Sequence, residues 1–294
     1  MVRIVTDTTA GLPREVAERY DIPVIPQIVS FGDESYLEGI ELDNAGFMER
    51  LRSSRELPKT AAPPVRLFVD AFERLVPSGE PILCIHPSTL VSGTVRSATV
   101  AAAEFPEADI RVLDTRVVAS PLATMVELAA CWAADGLGAD SIVARLEEMM
   151  RRCRLYFLVA TLEYLAKGGR IGGAAALLGT VLRVKPILTM CDGRVEAYDR
   201  QRTQSRALAR LKELVAAEYP ADGSGYLSVM HAGVPAEAEA LAADLCAHHG
   251  LKRIPILDVP PAIVTHGGPG ILGVAFFAAD DGAVPAGEDG HARP

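Results

Sequence analysis

The segment Val91-Ser-Gly-Thr-Val-Arg-Ser97 puts a hydroxyl and small residues ahead of an alanine-rich helical stretch. A hydroxyl beside the unpaired N–H groups of a helix start makes a site for an anion. The ordinary alternative is a serine that only caps the helix. Thr60, in Pro58-Lys-Thr-Ala-Ala-Pro-Pro64, stands ahead of another helical stretch, where a cap is again the ordinary alternative. His266, in Val264-Thr-His-Gly-Gly-Pro-Gly270, stands in a glycine-rich loop ahead of the last strand. A lone histidine in such a loop is ordinarily solvated.

Other patterns are decoys. Gly268-Pro-Gly-Ile-Leu-Gly273 has dinucleotide-site spacing, but it precedes a strand, and too little chain remains for a βαβ unit. The phosphate-loop and nucleophile-elbow patterns are both missing. Cys246, His248 and His249 do not make a metal site, because adjacent side chains near a helix end diverge.

The elements that must position these residues follow from the hydrophobic pattern. Val2–Asp7, Ile22–Phe31, Ile82–His86 and Ile110–Asp114 are short apolar strands rich in Val and Ile, each followed by turn residues. Between them, Val65, Phe68, Val69, Phe72 and Val76 share one helix face, as do Ile142, Val143, Leu146, Met149 and Met150. Apolar strands alternating with amphipathic helices predict a parallel sheet covered on both faces. The pattern changes near Cys153. A strand at Leu155–Ala160 leads to the glycine-rich Lys167–Gly173, and Pro186–Cys191 and Arg194–Arg200 flank Asp192-Gly193, a type I′ hairpin signal. A helix over Thr203–Tyr219, a strand at Tyr226–Met230, a helix from Pro235 to Gly250, and strands at Arg253–Val259 and Gly273–Ala278 complete the pattern. The expected organisation is an α/β/α parallel-sheet domain over residues 1–153, a mixed-sheet α/β domain over 154–279 and a disordered tail over 280–294, rich in Gly, Ala, Pro and Asp.

Apolar residues make up 49% of the 294, and the net charge of -9 disfavours nucleic acid and anionic membrane as partners of the whole molecule. The apolar runs are too short and too interrupted for a membrane anchor, and the N-terminal segment lacks the pattern of a signal peptide. Five scattered cysteines without a C-x-x-C pair point to a reduced, cytoplasmic protein.

Taken together, IVTDTTAGLP, LVSGTVRSA, TLEYLAKGGRIG, the KPIL strand and THGGPGILGVAFF resemble the DegV family of bacterial fatty-acid-binding proteins, from Met1 to about Ala278. TLEYLAKGGRIG is the most specific of these stretches. The resemblance implies an α/β/α domain with a parallel sheet and a second two-layer domain with a mixed sheet. It also implies a long-chain fatty acid held between them, and no metal or further cofactor. Thr60, Ser92 and His266 would bind the carboxylate, with Gly93, Thr94 and Thr265 as neighbouring candidates. The chain itself would catalyse nothing. It would present the acid to a separate ATP-binding fatty acid kinase that forms an acyl phosphate. Arg170 and Arg202 occupy segments that resemble the family's stretches for kinase engagement, and both are expected to be exposed on the side of the carboxylate. Two departures stand out: Ala61-Ala62 where members commonly carry polar residues, and Ala119-Ser120-Pro121-Leu122 where they commonly carry glycines.

Such a ligand sets two physical tasks. Its tail gains roughly 0.8 kcal/mol per buried CH₂, up to about 12 kcal/mol for fifteen methylenes. Its carboxylate loses water and needs donors, whose charge-assisted bonds offset that loss. Competing functions are a hydrolase using Ser92 and His266, a phosphotransferase, and a lipid sensor that passes nothing on.

Overall fold

The computed structural model describes residues 1–178 and 184–279; the tail expected over 280–294 lies outside the described residues. The first half runs β1 (Arg3–Asp7), α1 (Arg14–Arg19), β2 (Val24–Ile25), β3 (Ile28–Phe31), β4 (Glu34–Leu37), α2 (Asn44–Ser53), β5 (Lys59–Ala61), α3 (Val65–Leu75), β6 (Ile82–His86), α4 (Thr94–Ala102), β7 (Ile110–Asp114), α5 (Ser120–Ala134) and α6 (Ala139–Arg152). The second runs β8 (Cys153–Leu158), α7 (Glu163–Lys167), β9 (Lys185–Cys191), β10 (Arg194–Gln201), α8 (Gln204–Glu218), β11 (Ser228–His231), α9 (Pro235–His249), β12 (Ile256–Asp258), α10 (Pro261–Gly267) and β13 (Leu272–Phe277).

Strands β2-β1-β6-β7 form a parallel sheet. Every residue of β6 is buried, as a strand covered on both faces requires. Phe68, Val69 and Phe72 of α3 and Ala98 of α4 pack on one face. Leu122, Met125 and Val126 of α5 and Ile142 and Leu146 of α6 pack on the other. The second sheet is mixed and ordered β10-β9-β8-β13-β11-β12. Its side chains alternate as strand geometry dictates: Tyr156 and Leu158 face Leu211, Val215 and Leu241 of α8 and α9. Leu155, Leu188 and Met230 face inward, into a core shared with Val29 and Phe47 of the first half. The β9–β10 hairpin turns at Asp192 (φ 45°) and Gly193 (φ 79°), as the type I′ signal predicts. A Cβ on Gly193 would lie 2.4 Å from Ser88 Oγ, which donates to Gly193 O at 2.7 Å and ties the hairpin to the first half.

Two expectations need correction. Ile22–Phe31 is two strands, not one. Pro26 has no N–H for a ladder, so the chain leaves β1 there and enters a small antiparallel sheet, β4-β3-β5, that the sequence pattern did not show. Thr60 stands ahead of α3 as expected, within that small sheet and paired with Val29. His266 lies on α10 rather than in a glycine-rich loop.

Candidate functional site

A cleft of about 950 Å³, counted out to its mouth, opens between the two large sheets. Most of its length is apolar. Val118 and Ala119 line it from the first half, and Leu155, Phe157, Leu165, Met190, Val195, Met230, Val259, Ile263 and Ile271 from the second. The two methionines are unbranched and polarisable, so this wall adapts to the shape of an apolar guest.

One end is polar. Thr60, Ser92, Gly93 and His266 all border it, as do Arg170, expected on this side, and Thr9 and Gln27, whose place in the cleft the sequence patterns did not suggest. Strand β5 fixes Thr60, and α10 carries His266 to it, with Thr60 Oγ1 2.7 Å from His266 Nε2. Ser92 stands just before α4, whose N-cap residue is Gly93. Its Oγ accepts from Thr94 N–H at 3.3 Å and lies 2.7 Å from Thr94 Oγ1. Thr94 is fully buried behind Ser92. Thr265 is placed differently: it is buried and its hydroxyl donates to Pro261 O within α10, so it does not reach the cleft.

Arg170 also departs from expectation. It is half-buried rather than exposed; its Nε donates to Val91 O at 3.2 Å and its Nη1 to Gly168 O at 2.7 Å. These bonds fasten the glycine-rich turn after α7 to the loop that carries Ser92. A Cβ on Gly168 would lie 2.4 Å from His266 Nδ1, so the turn approaches the imidazole as only glycine can. His266 Nδ1 is buried without a hydrogen-bond partner. Burial, with the Arg170 guanidinium second, lowers the His266 pKa to about 4, so the ring is neutral at pH 7. Arg202 is exposed, in the turn ahead of α8. Of the two sequence departures, Ala62 borders the polar end, whereas Leu122 points into the core under α5 and only Ala119 of that stretch reaches the cleft.

Glu38 supports the site from outside the cleft. It is 2% exposed, and its carboxylate accepts from Ala262 N–H at 2.8 Å, in the first turn of α10, and from the Thr8 hydroxyl. Burial raises its pKa to about 7. Among the described residues no cluster of His, Cys, Asp and Glu could hold a metal, and no helix is long and apolar enough to cross a membrane.

Residues 1–279 match the family model described as "Uncharacterised protein, DegV family". A DegV domain-containing protein of Halalkalibacterium halodurans is 35% identical over 277 residues, 94% of this chain and 98% of the relative. Protein DegV of Bacillus subtilis is 32% identical over 276 residues, 94% and 98% of the two chains. Among solved structures, a fatty-acid-binding DegV family protein from Thermus thermophilus superposes with a TM-score of 0.88 at 31% identity, covering 95% of this chain and 99% of the other. A stearic acid-binding protein from Eubacterium ventriosum superposes at 0.85 and 25% identity, covering 95% and 98%.

Proposed function

The chain belongs to the DegV family, and from that membership and the lining of the cleft we propose that it binds one long-chain fatty acid, tail inward, with the carboxylate at Thr60, Ser92 and His266. The observation that carries this reading is the asymmetry of the cleft: a long apolar wall ending in the hydroxyls of Thr9, Thr60 and Ser92, the Gln27 amide, a neutral imidazole and one guanidinium. An amphiphile with a single anionic head meets both ends. The solved relatives that bind fatty acids support the same reading.

The hydrogen-bond network supports a particular role for His266. Its Nδ1 has no partner, and a buried bare lone pair is tolerated better than a buried bare N–H. The proton therefore sits on Nε2 and is donated to Thr60 Oγ1. Thr60 then turns its own hydrogen toward the carboxylate. Arg170 adds positive charge at the same end. With the tail buried and the carboxylate at the mouth, the molecule is a carrier that presents its acid to a separate ATP-dependent kinase for acyl phosphate formation, and Arg202 belongs to the face the kinase meets.

The hydrolase reading loses support here. His266 Nε2 is engaged by Thr60 and the Ser92 hydroxyl by Thr94, so no base stands ready to activate Ser92. Native mass spectrometry of the purified protein tests the proposal. A bound long-chain acid is expected, retained in part by Ser92→Ala, while acyl phosphate formation with kinase and ATP falls at least tenfold in that variant. Protein free of lipid that turns over an ester would sink it.

A further inference from the structure

Behind Ser92 runs a buried polar chain that leads away from the cleft. Thr94 Oγ1 lies 2.7 Å from Ser92 Oγ and accepts from Gln27 Nε2 at 2.8 Å. The same Gln27 nitrogen donates to Asp7 Oδ1 at 2.9 Å. Asp7 Oδ1 also accepts from Thr9 N–H at 3.0 Å and the Thr9 hydroxyl at 2.6 Å, and Asp7 Oδ2 lies 2.8 Å from His86 Nδ1. Asp7, His86 and Thr94 are wholly buried, and Gln27 is 3% exposed.

Buried groups must satisfy their donors and acceptors, and this requirement gives the chain a direction. A carboxylate only accepts, so Gln27 faces Asp7 with its amide nitrogen rather than its oxygen. An amide nitrogen has two hydrogens; one goes to Asp7 and the other to Thr94 Oγ1. Thr94 is wholly buried, and among the described residues the acceptor within reach of its hydroxyl hydrogen is Ser92 Oγ, to which it donates. Ser92 Oγ, which accepts from the Thr94 hydroxyl and also from Thr94 N–H, has only its hydrogen left to offer the cleft.

We propose that Gln27 and Asp7 are positioning residues that fix the Ser92 hydroxyl as a hydrogen-bond donor, so that the site selects a carboxylate over an uncharged head group on the same tail. The proposal rests on the fatty-acid reading. Gln27 holds this position because Pro26 ends β2 and turns the chain from one sheet toward the next, with Gln27 N–H pinned to Thr8 Oγ1 at 3.0 Å. An alcohol can accept from Ser92 but finds no acceptor there for its own hydrogen, and it gains no charge-assisted bond.

The test compares tetradecanoic acid with tetradecan-1-ol, whose tails are the same length, at about pH 8, where the acid is ionised. Affinities are measured for the wild-type chain and for Gln27→Met, which keeps the length of the side chain and loses its donors. The wild type should prefer the acid, and Gln27→Met should reduce that preference about tenfold by losing acid affinity and gaining alcohol affinity. Thr94→Val, which removes the hydroxyl that donates to Ser92, should act in the same direction and serves if Gln27→Met does not fold. A residue that only supports the fold would weaken both ligands alike. An unchanged acid-to-alcohol ratio in a folded variant therefore overturns the proposal. A wild type that binds neither ligand overturns the fatty-acid reading instead.

Discussion

The two ends of the cleft are ordered by different means. At the polar end every named hydroxyl has a protein partner: Thr60 with His266, Ser92 with Thr94, Thr94 with Gln27, and Thr9 with Asp7. Along the apolar length, contacts are between Leu, Ile, Val, Met and Phe side chains, which impose size but no direction. Hydrophobic burial scales with area and is non-directional, whereas hydrogen bonds gain little net energy and demand geometry. The apolar length should therefore set how tightly a ligand is held, and the polar end which head group is held and where.

The largest test of that division is a ladder of saturated acids. Each added methylene should tighten binding about fourfold, the equivalent of roughly 0.8 kcal/mol, until the cleft is full. Hexadecanoic acid should thus outbind octanoic acid by up to nearly five orders of magnitude, on the order of 6 kcal/mol, in calorimetric or displacement titrations. A flat ladder would mean that the head group carries the affinity and would erase the contrast between the ends.

A second test addresses the polar end through pH, and its two titrating groups act in opposite directions. Glu38 is packed against the Thr8 hydroxyl, the first turn of α10 and the nearby charge of Asp7, and burial lifts its carboxyl from 4.5 to about 7. Between those values the folded state holds the extra proton, so stability falls as pH rises. Burial and Arg170 lower His266 from 6.5 to about 4. Between those values the unfolded state holds the extra proton, so stability rises with pH. In the wild type the two slopes offset one another between about pH 4.5 and 6.5. Glu38→Gln should expose the rising slope, and His266→Asn the falling one up to about pH 7, each by up to roughly 3 kcal/mol across its window. Thermal unfolding followed across pH measures both. If both variants track the wild type at every pH, neither group is perturbed by the fold.

The same contrast explains what the sequence makes legible. The apolar framework is visible because periodicity reports it: Ile82–His86 and Ile110–Asp114 have the bounds the pattern predicts. Thr60, Ser92 and His266 are found through the resemblance, since each alone has an ordinary alternative. The supporting polar residues are hidden. Gln27 and Glu38 sit in short segments without periodicity, and their partners are distant in sequence: Gln27 with Thr94, Glu38 with Ala262. Only the fold places a glutamine after Pro26 against a threonine in α4. Strand β5 is three residues long, too short to show alternation, so the sequence shows Thr60 only as a residue ahead of a helix.

The smallest expected effect concerns the two arginines, which the sequence treats alike and the structure separates. Arg170 borders the cleft and is bonded to Val91 O and Gly168 O, so it belongs to the polar end. Arg202 is exposed. Arg170→Ala should free the Gly168 turn from the Ser92 loop and remove positive charge beside the carboxylate, weakening acid binding about tenfold. Arg202→Ala should change acid affinity less than about twofold and stability by no more than about 0.5 kcal/mol, as surface substitutions ordinarily do. If Arg202 engages the kinase, the same variant should still lower acyl phosphate formation, because a guanidinium fork pairs with carboxylates across an interface and its loss leaves the bound lipid untouched. The loss should deepen at high salt, where the remaining charges are screened. Acid binding weakened equally by both substitutions would extend the polar end to the surface at Arg202. Full kinase activity in Arg202→Ala would leave that residue a solvated charge, and the kinase-facing surface would then have to lie elsewhere around the mouth of the cleft.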